Sequence, residues 1–205
     1  MNKRKKIGIV GYSTGENSFG VGKSYLNFLN YYGDIQILSP SEDIIEDLDL
    51  VVLPGGLDIN PLSYNEVPGY FTSNTDVFKQ YFMDNNLQKY IFNGTGIFGI
   101  CLGFQQLCAY FGLKLIQDYQ FNYSTKNRSE LIDFLDFERG VLNDFKGNKQ
   151  NIKTNSLHHQ GCFHVSENSN IEIIARCRSE KNIEIAKFMD NIYGVQFHPK
   201  LWGSC

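Results

Sequence analysis

A chain of 205 residues is long enough to close one apolar core and too short for two ordinary ones, so a single fold unit over residues 1–205 is expected. Hydrophobic residues make up 42%, charged residues 20%, and the formal net charge is -3, a balance that excludes disordered and fibrous classes and gives no footing for a nucleic-acid partner. The basic start Lys3-Arg-Lys-Lys6 runs into Ile7-Gly-Ile-Val10, far too short an apolar run for a signal-peptide core or a membrane span.

Short runs rich in β-branched residues alternate with longer amphipathic stretches, the pattern of a parallel sheet covered by helices. Ile7 to Val10 reads as a buried strand, and Ser24 to Tyr32 as a helix with Tyr25, Phe28, Leu29 and Tyr32 at helical spacing. Strands follow at Ile35 to Leu38 and Leu50 to Leu53. Asp76 to Phe92 puts Val77, Tyr81, Leu87 and Ile91 on an approximate helical face. Ile97 to Ile100 is the fourth strand and runs into a helix from Leu102 to Tyr110. The second half changes character: Leu131 to Phe137, Ile171 to Cys177, Ile183 to Phe188 and Ile192 to Phe197 read as strands. Turns at Gly140, Asn168 to Asn170, Glu180 to Asn182 and Asp190-Asn191 join them. The expected fold is α/β, a mostly parallel central sheet with an antiparallel extension around one core. Five cysteines, Cys101, Cys108, Cys162, Cys177 and Cys205, are odd in number, and none pairs with another at the spacing of a zinc or redox motif. Reduced thiols in a cytoplasmic setting are expected, with no metal and no cofactor.

Chemistry concentrates where the fourth strand turns into a helix. Gly99-Ile-Cys101-Leu-Gly103 has the form of a nucleophile elbow with cysteine in place of serine. A sharp, closely packed turn leaves no room for a Cβ at the two glycines, and the helix N-terminus it creates favours a thiolate. Alone, the pentapeptide also fits a buried structural cysteine, which is the reading given to Cys108. Leu53-Pro-Gly-Gly56-Leu-Asp58 follows the third strand and lies at the same carboxyl edge of a parallel sheet. The N–H groups of Gly56 and Leu102 can there form an oxyanion hole. Gly194-Val-Gln-Phe-His198-Pro199 is a strand that ends in a histidine and is stopped by proline; His198 is the candidate base for the thiol.

These three motifs, in this order and at these separations, resemble the class I glutamine amidotransferases, and the match extends from Ile7 to about Pro199. The stretches Gly55-Gly-Leu-Asp-Ile-Asn-Pro61 and Asn155-Ser-Leu-His-His-Gln160 resemble the branch of γ-glutamyl-γ-aminobutyrate hydrolases, peptidase C26. The resemblance implies a flavodoxin-like three-layer sandwich and a thioester mechanism on a small-molecule γ-glutamyl substrate, with Cys101 as nucleophile and His198 as base. It further implies that Gly55 and Gln105 help hold the glutamyl part, and that Asn155, Ser156, Leu157 and His158 border its α-carboxylate. In the family the histidine is followed by Pro and then Glu, completing a triad; here that position is Lys200. An ammonium there would lower the imidazole pKa and shrink the thiolate fraction of Cys101. The chain also ends at Cys205, where relatives continue through a closing helix.

Two other motifs carry less. Gly20-Val-Gly-Lys23-Ser24 suggests a phosphate loop, but the position five residues before Gly22 is Asn17 where the pattern needs glycine. His158, His159 and His164 lack a carboxylate at ligand spacing for a metal. Three functions stay open: a stand-alone γ-glutamyl amide hydrolase, a glutaminase subunit passing ammonia to a separate synthetase, and a non-catalytic γ-glutamyl-binding protein that has lost its triad.

Overall fold

The computed structural model describes residues 3–15, 18–40, 42–70, 72, 75–118, 128–134, 152–163, 170–177 and 181–199. Lys200, His164 and Cys205, the turn at Gly140, residues 135–137 of the strand expected to end at Phe137, and residues 168, 169 and 180 of two expected turns lie outside them.

In chain order the elements are β1 (Lys5–Val10), β2 (Tyr12–Gly15), β3 (Ser18–Gly20), α1 (Lys23–Leu29), β4 (Gly33–Leu38), β5 (Leu50–Leu53), a 3-10 turn (Pro61–Tyr64), α2 (Val77–Asn85), α3 (Leu87–Phe92), β6 (Gly96–Ile100) and α4 (Leu102–Tyr110). They continue with β7 (Leu115–Ile116), β8 (Arg128–Phe134), β9 (Ile152–Ser156), β10 (Gly161–Cys162), β11 (Glu172–Cys177), β12 (Ile183–Met189) and β13 (Ile192–Val195). Nine of the described strands form one sheet in the order β4-β1-β5-β6-β13-β12-β11-β8-β9. From β4 to β13 every pairing is parallel, and from β13 to β9 every pairing is antiparallel. β13 is the strand where direction changes. The chain is thus an α/β fold of the flavodoxin-like type with an antiparallel extension.

The parallel strands are apolar on both faces because both are covered. Along β5, Val52 joins Ile7, Ile9, Tyr25 and Leu29 beneath α1, whereas Val51 and Leu53 join Phe82, Leu87 and Leu107 beneath α2, α3 and α4. Phe188 of β12 packs on Phe104 and Phe111 with ring centroids 5.9 and 5.2 Å away. Such pairs are each worth roughly 0.5–1.5 kcal/mol beyond their buried area, and these tie the antiparallel half to the helix that follows the elbow.

Several local expectations are corrected. The helix expected from Asp76 to Phe92 is two helices that meet at Asn86, whose φ is -116°. Asn86 is buried, and its side-chain amide donates to Glu42 O at 2.9 Å and Pro40 O at 3.4 Å, so a tertiary tie breaks the helical period there. The expected apolar face also fails in α2: Val77 and Tyr81 are exposed, while Lys79, Phe82 and Met83 are buried. Asp76 starts the helix as its N-cap, its Oδ1 accepting from Phe78 N–H and Lys79 N–H at 3.1 Å. Helix α1 ends at Leu29 and leaves Tyr32 exposed, because the chain must turn through Gly33 to enter β4. Strand β9, which the sequence pattern does not single out, includes Asn155 and Ser156. Of the expected strand Ile192 to Phe197, residues 196 and 197 fall beyond β13, although Gln196 N–H still donates to Glu184 O at 2.8 Å. No helix among the described residues is long and apolar enough to cross a membrane.

Candidate active site

Cys101 stands where β6 ends and α4 begins, and its backbone takes φ 52° and ψ -104°. A residue with a side chain pays on the order of 1–3 kcal/mol for such a conformation. The surroundings hold it: Cys101 N–H donates to Val195 O at 2.9 Å, and Cys101 O accepts from Gln105 N–H at 3.0 Å. The flanking glycines let the chain pass. A Cβ on Gly99 would lie 2.7 Å from Gly103 O, and one on Gly103 only 2.1 Å from Leu53 O. The first turn of α4 therefore packs backbone on backbone against β5. Cys101 is buried at the N-terminal end of that helix, where unpaired N–H groups and the helix dipole favour a thiolate.

The turn after β5 faces it. A Cβ on Gly55 would lie 2.6 Å from His198 Cε1, 2.9 Å from the Tyr25 hydroxyl and 3.3 Å from Cys101 Cβ. Gly55 is thus the floor on which the thiol-bearing residue and the imidazole meet. The Tyr25 hydroxyl accepts from Gly55 N–H at 2.7 Å and lies 3.4 Å from His198 Nδ1. Burial pushes the Tyr25 hydroxyl far above its usual pKa, with Cys101 adding to the effect, so it stays protonated. His198 is also gripped through its backbone: its N–H donates to Asn155 Oδ1 and its carbonyl accepts from Asn155 Nδ2, both at 2.9 Å. On the other side of the turn, Lys79 Nζ donates to Gly55 O at 2.9 Å and to Pro54 O at 3.4 Å. A cleft of about 450 Å³ opens here, lined among others by Tyr12, Tyr25, Gly55, Gly56, Lys79 and His198.

Over residues 24–200 the chain matches the family model described as Peptidase C26. The chain belongs to the Peptidase C26 family. It is thereby a member of the class I glutamine amidotransferase-like superfamily that its motifs resemble. The glutamine amidotransferase-like protein YvdE of Lactococcus lactis subsp. lactis (strain IL1403) is 34% identical over 127 residues, 55% of this chain and 54% of that protein. The chain's match thus spans about half the length of that relative. The YvdE homolog of Lactococcus lactis subsp. cremoris is 29% identical over 174 residues, 75% of this chain and 93% of the homolog. A glutamine amidotransferase from Thermotoga maritima superposes with a TM-score of 0.66 at 16% identity, covering 96% of this chain and 76% of that one, a likeness of fold.

Within this Peptidase C26 chain, Cys101 and His198 both approach Gly55, Gly56 follows it next to the Leu102 side chain, and Leu102 is the first residue of α4. Of the residues singled out in the sequence, Gly55, Gly56 and His198 line the cleft, and Cys101 lies buried behind Gly55. Gln105 is buried, donating to Gln160 O at 2.9 Å and Gln196 Oε1 at 3.4 Å. His158 is buried, with Nδ1 3.1 Å from Gln160 O and Nε2 3.4 Å from Ser156 Oγ. A carbonyl can only accept, so Nδ1 carries a proton. Leu157 is exposed. Three residues that sequence reasoning passed over join the site: Tyr25, Lys79 and Tyr12. In the sequence Tyr25 is only one aromatic at helical spacing, and a lysine within an amphipathic helix gives no signal of burial.

Next to this layer His159 Nε2 pairs with Asp58 Oδ1 at 3.0 Å, and its Nδ1 lies 3.5 Å from Asp118 Oδ1. The hydrogen bond to Asp58 raises the His159 pKa, outweighing the burial that lowers it. A folded-state pKa above the unfolded one means stability that is present below the ordinary imidazole value and is lost as pH rises through the folded value. Because the ring is partly exposed, the effect is modest. Asp58→Asn should therefore lower the melting temperature more between about pH 5 and 6.5 than above pH 8 or so. Thermal melts of both proteins across that range check it, and an equal deficit at all pH values would refute it.

Proposed function

We propose that this chain hydrolyses γ-glutamyl amide bonds through a thioester on Cys101, with His198 as general base and then general acid. The observation that carries the reading is the meeting of Cys101 and His198 across Gly55. In the first half-reaction the Cys101 sulfur attacks the γ-carbonyl carbon while its proton passes to the imidazole. The oxyanion forms between the Gly56 and Leu102 N–H groups, each such donor contributing about 10²-fold or more in rate. Collapse breaks the C–N bond, and the imidazolium returns its proton to the departing ammonia or amine. A water molecule, deprotonated by the same imidazole, then attacks the thioester carbon; glutamate leaves and the thiol is restored.

This scheme needs an oriented ring, and three contacts described above supply one: the paired amide bonds of Asn155 to the His198 backbone and the Tyr25 hydroxyl at Nδ1. They support a dyad that works without the carboxylate found after the histidine in relatives. Asn155 would then act on the base, and the role of Gln105, Ser156 and His158 would be to shape the layer beneath the glutamyl group.

The test combines labelling and turnover. With iodoacetamide near neutral pH, Cys101 should be alkylated first, since Cys108, Cys162 and Cys177 are wholly buried and burial holds the Cys108 thiol well above its usual pKa. Incubated with glutamine and a panel of γ-glutamyl amines, the protein should accumulate a glutamyl adduct on Cys101 and release amine, and Cys101→Ala should do neither. Hydrolysis seen only after addition of cell extract would mark a glutaminase subunit working with a synthetase. Ligand binding with no adduct and no release would mark a binding protein and refute the proposal.

A further inference from the structure

We propose that Lys79 is a positioning residue for the oxyanion site, holding the Gly55–Gly56 peptide so that the Gly56 N–H faces the reacting carbonyl. The inference rests on the reading of that N–H as an oxyanion donor. In a trans peptide the carbonyl of one residue and the N–H of the next point in opposite directions. Gripping Gly55 O therefore decides where Gly56 N–H points. Lys79 Nζ sits 2.9 Å from that oxygen and 3.4 Å from Pro54 O.

The grip matters because the turn is Gly-Gly. With no Cβ on either side, this peptide can rotate at less steric cost than any other in the loop. A flip would replace the donor by a carbonyl oxygen, whose lone pairs would repel the developing oxyanion. Lys79 opposes it directly by holding the Gly55 carbonyl, while Tyr25 on the Gly55 N–H fixes the preceding peptide, about which this one would turn. A cation on the carbonyl oxygen also draws electron density from the amide and strengthens its N–H as a donor.

The fold makes room for this group at a cost. Lys79 is only 2% exposed, and a buried ammonium is unfavourable unless it is well engaged. Its head meets the two carbonyls and lies 5.5 Å from the centroid of the Tyr12 ring. The N-cap Asp76 aims it from the first turn of α2, accepting directly from the Lys79 N–H. A methionine would fill the same space beside Gly56 and Tyr12. What it could not do is donate to Gly55 O.

The experiment uses the intact chain and γ-glutamyl-p-nitroanilide as the acylating probe, with iodoacetamide as a probe that forms no oxyanion. Lys79→Met should cut kcat and the rate of Cys101 acylation by about 10²-fold, with KM and the alkylation rate near their wild-type values. Lys79→Gln, which restores a donor without the charge, should regain part of the loss and gives the same comparison if Lys79→Met does not fold. Acylation as fast in Lys79→Met as in the wild type overturns the assignment. So does a parallel fall in acylation and alkylation, which would mark a general disturbance of the site. A wild-type protein that is alkylated at Cys101 yet never acylated would instead overturn the functional reading beneath it.

Discussion

Gly55→Ala is expected to remove nearly all turnover while leaving the fold intact. The added Cβ would sit 2.6 Å from His198 Cε1 and 2.9 Å from the Tyr25 hydroxyl, well inside van der Waals contact, and both are side-chain groups that can swing away. Gly55 is not among the glycines with positive φ, so alanine meets no backbone penalty. The lesion is confined to the space between thiol and base. Moving the ring removes its proton transfer, worth roughly 10²–10⁴-fold, and releases the hydroxyl that holds the Gly55 N–H. The kcat for a γ-glutamyl amide should fall by at least about 10²-fold, and alkylation of Cys101 near neutral pH should slow because the thiolate loses its imidazolium partner. Kinetics and a thermal melt on one preparation decide it. Wild-type kcat in this variant would show that the imidazole is not needed where it stands.

Gly103→Ala should do the reverse, damaging the fold first. Its Cβ would lie 2.1 Å from Leu53 O, 2.6 Å from Leu53 Cβ and 2.7 Å from Leu53 C. These atoms belong to the middle of the sheet, so no rotamer change relieves the contact and α4 must lift from β5. Overpacking of a core typically costs about 1–3 kcal/mol and occasionally more; a backbone-on-backbone clash belongs at or above the upper end. Against a total stability of roughly 5–15 kcal/mol, the melting temperature should drop by on the order of 10 °C. Urea or thermal unfolding measures it, and an unchanged midpoint would mean that the helix is not packed so closely.

Much of the fold is legible in the amino-acid sequence, because its signals are local. The β-branched runs at Ile7, Leu50 and Ile97 mark strands buried on both faces, and the glycines at 99 and 103 mark a strand that turns into a closely packed helix. That the turn after Leu53 and the elbow share an edge follows from parallel topology alone. Features that depend on distant partners stayed hidden. The split at Asn86 comes from carbonyls at Pro40 and Glu42, far away in sequence. The inward turn of Lys79 inverts the face that helical periodicity assigned to α2. Tyr25 looks like any aromatic on an amphipathic helix; only packing puts its hydroxyl between Gly55 and His198. The hold of Asn155 on His198 joins residues of β9 and of the segment after β13, which no spacing rule connects.

Strand β13 lies rung for rung against β6, Tyr193 opposite Phe98 and Val195 opposite Ile100, and the ladder closes with Cys101 N–H on Val195 O at 2.9 Å. His198 follows three residues after Val195. The position of Val195 beside Cys101, from which the segment bearing His198 departs, is therefore counted out along a hydrogen-bond ladder, and a slip of the strand moves it in steps of about 3.3 Å, each of which also turns every side chain of the strand to the opposite face. Added length in the turn at Asp190-Asn191, ahead of the first rung, leaves that count intact. A single residue inserted between Ile192 and Val195 resets it.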